Sequence, residues 1–349
     1  MTKVALGPFA IASGPWYIRN GLRANGVHAD VVLAQPHPFG YPQDVIFTST
    51  EDVVKTALDY DAFHSFFGVG LVDESVPTIK ALGKKTIMTF NGCDVRTPGK
   101  MNSQKLHTTV CSHCDEIYYC NQDAKHNNMM KILDTYDEVM CDLGIWDVVP
   151  PIAEKQGRTL VPYPQPIDLS DYPVRQGYIP HAGTENDPWI VAHAPSQRSK
   201  KGTSFVIRAI ENLRAKGVNI TVKLLNGSHE QVRQGLLTSD IAVDQLLIGW
   251  YGTFALEAMA FGVPTLCYLR SLDARGRAGV PEPCLMNTSI DKLEEDIMLM
   301  INDSNMRATV AKEQRTHVEE FHDVVKLCKK WLPLYGVTSE TSMAEPAIV

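Results

Sequence analysis

The sequence predicts an α/β protein built from two doubly wound halves that face each other across a cleft. Short apolar β-runs alternate with helical stretches in the first half, and the same alternation restarts after a proline-rich connection. The chain has 349 residues, enough for two domains at roughly 100–200 residues each. Strands separated by helices cannot pair as hairpins, so the order implies parallel sheets covered on both faces.

In the first half, "KVAL" (Lys3–Leu6) reads as the opening strand. The loop "GPFAIASGPW" follows, and its Gly14 lets backbone come close to a ligand, although a glycine in a β-to-α turn is common without one. A helix is expected near Trp16–Asn25, then the strand "ADVVLA", a helix around Asp52–Leu58 and the strand "FHSFFGVG". A helix near Ser75–Leu82 leads to the strand "KTIMTF". The stretch Asn91–Gln156, rich in Cys, His and Asn, reads as irregular. "LVPYPQPIDLSDYP" reads as an ordered connection between domains.

The second series starts at "PWIVAHAP". Phe205, Ile207, Ile210 and Leu213 give helical periodicity to "TSFVIRAIENLRAKG", and Gly217 ends it. "NITVKLLNG", "SDIAVDQ" and "PTLCYL" read as strands, with "SHEQVRQGLL" and "TFALEAMAF" as the helices between them. Asp291–Trp331 is amphipathic and helical, and "SETSMAEPAIV" reads as a frayed tail. The expected boundaries are 1–165 for the first domain, 166–185 for the linker and 186–312 for the second domain.

The formal net charge of −7 argues against a broad nucleic-acid-binding face. No apolar run approaches the ~20 residues needed to span a bilayer. Gly7 and Pro8 interrupt the N-terminal apolar stretch, so it reads as strand and loop rather than signal peptide. A cytoplasmic protein is expected, with peripheral membrane association left open. Cys111, Cys114 and Cys120 cluster near His107, His113 and His126. Two readings stand side by side: a structural tetrahedral zinc, or buried thiols in an insertion.

One segment carries chemistry. In "DQLLIGWYGTFALEAMAFGVP" the only charge after Asp244 is Glu257, set among Phe254, Leu256, Met259 and Phe261. Gly249 and Gly252 permit a tight loop, Thr253 can cap the helix, and a helix N-terminus behind such a loop suits a phosphate. Glu257 lies four residues after Thr253, whereas a capping box needs three. Dipole compensation on an exposed face fits poorly with those apolar neighbours. The favoured role is a carboxylate accepting hydrogen bonds from ribose hydroxyls.

"YGTFALEAMAFGVPTLCY" resembles the donor-site signature of retaining GT-B glycosyltransferases of the family-4-like, or "group 1", kind, whose helix reads G-x-x-x-x-E-A-M-A-x-G-x-P. "HAPSQRSKKGTSFVIRAIENL", "MTFNGCDVR" and "PYPQPIDLSDYP" are similar to further segments of that family, in the same order. The resemblance implies two Rossmann-like domains and a nucleotide-sugar donor, UDP- or GDP-linked, held by the second. Glu257 would hold the ribose, and backbone at Tyr251, Gly252 and Thr253 would hold the diphosphate. Arg198 and Lys201, with Lys200 competing, would stabilise the diphosphate as leaving group. His193 and Gly14 are counted with the donor site.

Asn91 stands where the family commonly has His. With Asp94 and Arg96 it is a candidate for sugar or acceptor contact; the alternative is an Asp94–Arg96 pair that orders the loop. No catalytic metal is expected, and Asp59 and Asp61 read as a polar helix end. A first glutamate common in relatives would fall at Gly249. A helix at about 313–335 would pack back on the first domain, as in relatives.

The implied activity is sugar transfer with retention to a glycan, a lipid-linked or a small-molecule acceptor; a modified nucleic acid stays open. The alternatives are a nucleotide-sugar epimerase on the same scaffold and an inactive nucleotide-sugar-binding subunit.

Overall fold

A computed structural model of the chain describes residues 2–10, 12–47, 49, 52, 58–69, 76–98, 110–116, 120–270 and 286–337. Most of the helix expected around Asp52–Leu58, His107 and the tail from Ser339 lie outside the described residues. The chain divides into two compact units. Unit 1 comprises Met1–Arg96, Gln122–Asp168 and His322–Val349; unit 2 comprises Thr97–Asn121 and Leu169–Phe321.

Unit 1 contains β1 (Lys3–Leu6), α1 (Gly14–Ala24), β2 (His28–Leu33), β3 (Val45–Ile46), β4 (Ala62–Phe66), α2 (Val76–Ala81), β5 (Lys85–Phe90), α3 (Gln122–Thr135), β6 (Glu138–Asp142), α4 (Pro150–Lys155) and β7 (Val161–Tyr163). The seven strands pair in parallel in the order β3-β2-β1-β4-β5-β6-β7. Strand order reverses between β1 and β4, and ligands of open α/β sheets bind at the carboxyl ends beside such a reversal. Val4, Ala5 and Leu6 are all fully buried, as a strand covered on both faces requires.

The stretch Asn91–Gln156 is more regular than expected, since it contains α3, β6 and α4. Only Met129, Ile132 and Leu133 of α3 are buried, so its apolar stripe is hidden among Asn, His and Lys. The strand β6 is short, and its burial on both faces leaves no alternation to read. Val161–Tyr163, within the proline-rich connection, is the last strand of the sheet; Pro162 is tolerated there because β7 is an edge.

Unit 2 contains β8 (Trp189–His193), α5 (Arg198–Lys201), α6 (Thr203–Ala215), β9 (Ile220–Leu224), α7 (His229–Leu237), β10 (Ile241–Val243), α8 (Thr253–Phe261), β11 (Thr265–Cys267), β12 (Met286–Asn287), α9 (Leu293–Asn302) and α10 (Ser304–Phe321). Its parallel sheet runs β12-β11-β10-β8-β9, with the reversal between β8 and β10. Val191, Val206, Ile210, Leu213, Val243 and Leu266 pack together as its core. Every residue of α8 from Phe254 to Phe261 is buried, so this helix runs inside unit 2 rather than along its surface.

The C-terminal helical region is not one element across 313–335. The helix α10 ends at Phe321 in unit 2, and a separate helix, α11 (Val324–Trp331), belongs to unit 1. Asp323 caps α11, accepting from the Val325 amide at 2.9 Å. Gly21 of α1 sets how closely α11 approaches, because a Cβ there would lie 2.6 Å from the Val324 carbonyl and 2.7 Å from Cys328 Sγ. The two crossings of the chain bond to each other: Ile167 N donates to His322 O at 2.8 Å and Val324 N to Ile167 O at 3.0 Å. Among the described residues no helix is long and apolar enough to cross a membrane.

Candidate functional site

In unit 2 the chemistry-bearing residues gather at the carboxyl ends of β8 and β10, on either side of the strand-order reversal. His193 ends β8 and is wholly buried. Its Nδ1 lies 2.8 Å from the Val243 carbonyl and its Nε2 2.9 Å from Thr203 Oγ1. A carbonyl only accepts, so Nδ1 carries the proton and Nε2 accepts from the Thr203 hydroxyl. Burial lowers the imidazole pKa, which keeps the ring neutral. His193 therefore ties β8, β10 and the start of α6 together.

After β10 comes Asp244, which is 1% exposed. Its Oδ2 accepts the Gly252 N–H at 2.7 Å, and its Oδ1 lies 3.3 Å from Lys201 Nζ. A Cβ at Gly252 would sit 3.3 Å from Lys201 Nζ, so the ammonium rests against the mouth of α8. The backbone N–H groups of the first turn of α8, from Thr253 to Ala255, have no partner inside the helix. An anion placed there meets those donors, the dipole and a fixed cation.

The three basic residues of "RSKK" separate. Lys201 pairs with Asp244, and Lys200 Nζ bonds Glu116 Oε2 at 2.6 Å. Arg198, at the start of α5, is exposed and has no ion-pair partner among the described residues. Tyr251 faces inward: it is 2% exposed, it stacks on Trp250 with ring centroids 4.5 Å apart, and its hydroxyl lies 3.5 Å from His317 Nε2. Only its backbone remains a candidate for ligand contact. Thr253 opens α8 and is half-buried.

Glu257 is 3% exposed and its Oε1 is held twice. His229 Nε2 lies 2.9 Å away and the Tyr172 hydroxyl 3.1 Å away. His229 opens α7, behind a capping box formed by Ser228 and Gln231. Tyr172 precedes β8 and is itself buried, with Arg233 over its ring at 5.1 Å. Neither partner was singled out from the sequence. "SDYP" and "NGSHE" read locally as turn and cap, and nothing local points them at Glu257.

Gly249, where a second carboxylate was expected, has φ +79, and a Cβ there would lie 3.0 Å from the Cβ and Cγ of Arg270. Arg270 is buried and donates from Nη1 to the Ile248 carbonyl at 3.0 Å. An L side chain at Gly249 meets both an unfavourable backbone and an occupied space. The loop is built for glycine.

In unit 1, Asp94 accepts backbone N–H groups from Asn91 at 3.0 Å and Gly92 at 2.6 Å. Burial raises its pKa and those N–H donors oppose the rise. The loop after β5 is thus ordered by its own amides on Asp94, and the Arg96 charge acts on the carboxylate in the same direction. Asn91 Oδ1 is buried with no partner among the described residues. Gly14 begins α1 at the end of the loop after β1, where a Cβ would lie 3.3 Å from Tyr163 Oη. Asp59 and Asp61 flank Tyr60, and Asp61 Oδ2 accepts the Lys3 amide at 2.9 Å.

Cys111 and Cys114 sit in and just after a 3₁₀ turn, Val110–His113, which belongs to unit 2. His113 packs edge-on against Phe205, with ring centroids 5.6 Å apart. Among the described residues no three His, Cys, Asp or Glu side chains are gathered to hold a metal. Cys111, Cys114 and Cys120 are partly exposed free cysteines, and the zinc and free-thiol readings of this cluster both stand. The turn packs against α6 through His113.

No protein-family model matches the chain, and no curated protein does. Solved structures do. A sucrose-phosphate synthase from Thermosynechococcus elongatus is 15% identical, with 96% of this chain and 98% of that one covered at TM-score 0.61. HepE of Anabaena, solved in complex with UDP-glucose, is 14% identical over 95% and 98% of the two chains, with TM-score 0.59. A putative UDP-N-acetylglucosamine 2-epimerase from Listeria monocytogenes is 12% identical over 100% and 99%, with TM-score 0.52. At such identities the likeness speaks to fold. The chain has the GT-B fold, with two Rossmann-like α/β domains.

Proposed function

We propose that the chain is a glycosyltransferase that moves a sugar from a nucleoside-diphosphate donor to an acceptor with retention of configuration. Unit 2 binds the donor and unit 1 the acceptor. The observation that carries this reading is the pair of features on α8. A buried carboxylate, Glu257, lies in its second turn, and a fixed ammonium, Lys201, stands at its mouth. The carboxylate suits ribose hydroxyls and the mouth suits a diphosphate, whose negative charge grows as the bond to the anomeric carbon breaks. Exposed Arg198 supplies a second cation to the leaving group. Asn91, whose amide oxygen has no partner among the described residues, is the unit 1 candidate for a sugar or acceptor hydroxyl, and Asp94 shapes its loop.

The donor is a UDP- or GDP-sugar and the acceptor a glycan, a lipid-linked or a small-molecule hydroxyl compound. A panel of nucleotide sugars scored by thermal shift, and by nucleoside diphosphate release with and without acceptors, tests this. Release that depends on an acceptor is the expected result; no stabilisation by any nucleotide or nucleotide sugar refutes it. The likeness to a putative 2-epimerase favours one second reading. Donor conversion in the absence of acceptor would select it.

A further inference from the structure

The group that touches both halves of the anion cradle is itself an anion. Asp244 holds the Gly252 N–H with Oδ2 at 2.7 Å and Lys201 with Oδ1 at 3.3 Å. Its side chain is 1% exposed, so water screens its charge weakly, while Lys201 is 16% exposed and can reach outward. Beside them the buried Oε1 of Gln245 has no donor among the described residues, and its Nε2 lies 3.9 Å from the Cβ position of Gly252. The pair Asp244–Lys201 carries no net charge, so a diphosphate at this mouth gains Lys201 only by taking it from Asp244.

We infer that Asp244 is the internal counter-anion of the donor site: it competes with the bound diphosphate for Lys201 and reclaims the ammonium as the nucleoside diphosphate product leaves. This rests on the donor-site reading above and adds to it a residue that sets product affinity. Asp244 touches neither sugar nor acceptor in this scheme. It acts through Lys201, as a positioning residue. Where product release limits turnover, such a competitor speeds the cycle at the expense of ground-state affinity.

The test uses the full chain with UDP and GDP as probes in calorimetric titrations. Asp244→Asn keeps an acceptor for the Gly252 N–H and removes the charge. It should tighten the nucleotide that the wild type binds by about tenfold, the size of one nearby charge in a partly screened site. In steady-state transfer it should lower KM and kcat together, a split that simple loosening of the fold would not produce. Asp244→Ser, which removes the same charge and keeps a hydroxyl oxygen, should tighten nucleotide binding several-fold as well. A folded Asp244→Asn with unchanged or weaker affinity overturns the inference and leaves the donor site standing. If Asp244→Asn does not fold, Asp244→Ser decides, and unchanged or weaker binding there overturns the inference. A wild-type chain that binds neither nucleotide removes the donor-site reading and this inference with it.

Discussion

His229 Nε2 lies 2.9 Å from Glu257 Oε1, and the same oxygen takes the Tyr172 hydroxyl at 3.1 Å. The carboxylate proposed for the ribose is thus held by two side chains from other elements. A buried carboxylate needs such partners for its polar atoms, and their fixed positions orient it.

Removing that carboxylate has two separable consequences. Glu257→Ala leaves His229 and Tyr172 without their shared acceptor and should lower stability by on the order of 1–3 kcal/mol. Glu257→Gln retains an acceptor for both and should stay near wild-type stability, yet lose donor affinity. Thermal melts and nucleotide-sugar titrations of the two variants separate these effects. A Glu257→Gln protein that binds donor as tightly as wild type would sink the ribose assignment.

Gly249 is a second point of test. Gly249→Glu places the carboxylate where relatives of the resembled family carry one. With φ +79 and Arg270 against the Cβ position, it should cost about 1–3 kcal/mol of stability from backbone strain. It should not raise activity. A variant with an unchanged melting temperature contradicts the account of this loop.

Acid stability should respond to His64. This residue of β4 is fully buried, with Nδ1 2.8 Å from Tyr335 Oη and Nε2 2.6 Å from Thr89 Oγ1. Burial drives its pKa from 6.5 down to about 3. The unfolded chain binds this proton more readily than the folded one, so stability is full above the unfolded pKa. It falls as pH drops from about 6.5 towards 3, at up to ~1.4 kcal/mol per pH unit for each such histidine. His317, lowered to about 4, adds to the same slope. Denaturant melts between pH 7 and pH 4 should show the loss, and His64→Gln should flatten part of it. An identical pH profile for that variant would exclude His64 as a source.

Zinc content decides between the two readings of the cysteine turn. With free thiols, a Cys111→Ser/Cys114→Ser protein should stay within about 0.5 kcal/mol of wild type per substitution, as changes away from a buried network do. Elemental analysis showing one zinc per chain, together with a chelator-induced fall in melting temperature, would select the metal reading.

Much of the fold was legible because its signals are local. Strands such as Lys85–Phe90 and helices such as Thr203–Ala215 announce themselves by apolar runs and by 3.6-residue spacing. The missed elements lacked such a signal. The helix α3 buries three residues of fourteen, and β7 carries a proline that reads as linker until its place at a sheet edge is known. In the site, the α8 motif was legible as a contiguous run of residues. Tyr172 was not, since 85 residues separate it from the carboxylate it holds.

The sequence by itself determined the two α/β halves, the helix with a lone buried carboxylate and the glycine loop before it, because each depends on residues adjacent in the chain. Tertiary structure alone decided which partners those groups have. Asp244 closes on Lys201 across 43 residues, and Arg270 fills the space beside Gly249. Such contacts follow from the packing of parallel strands whose neighbours are set by crossovers, and no local spacing records them.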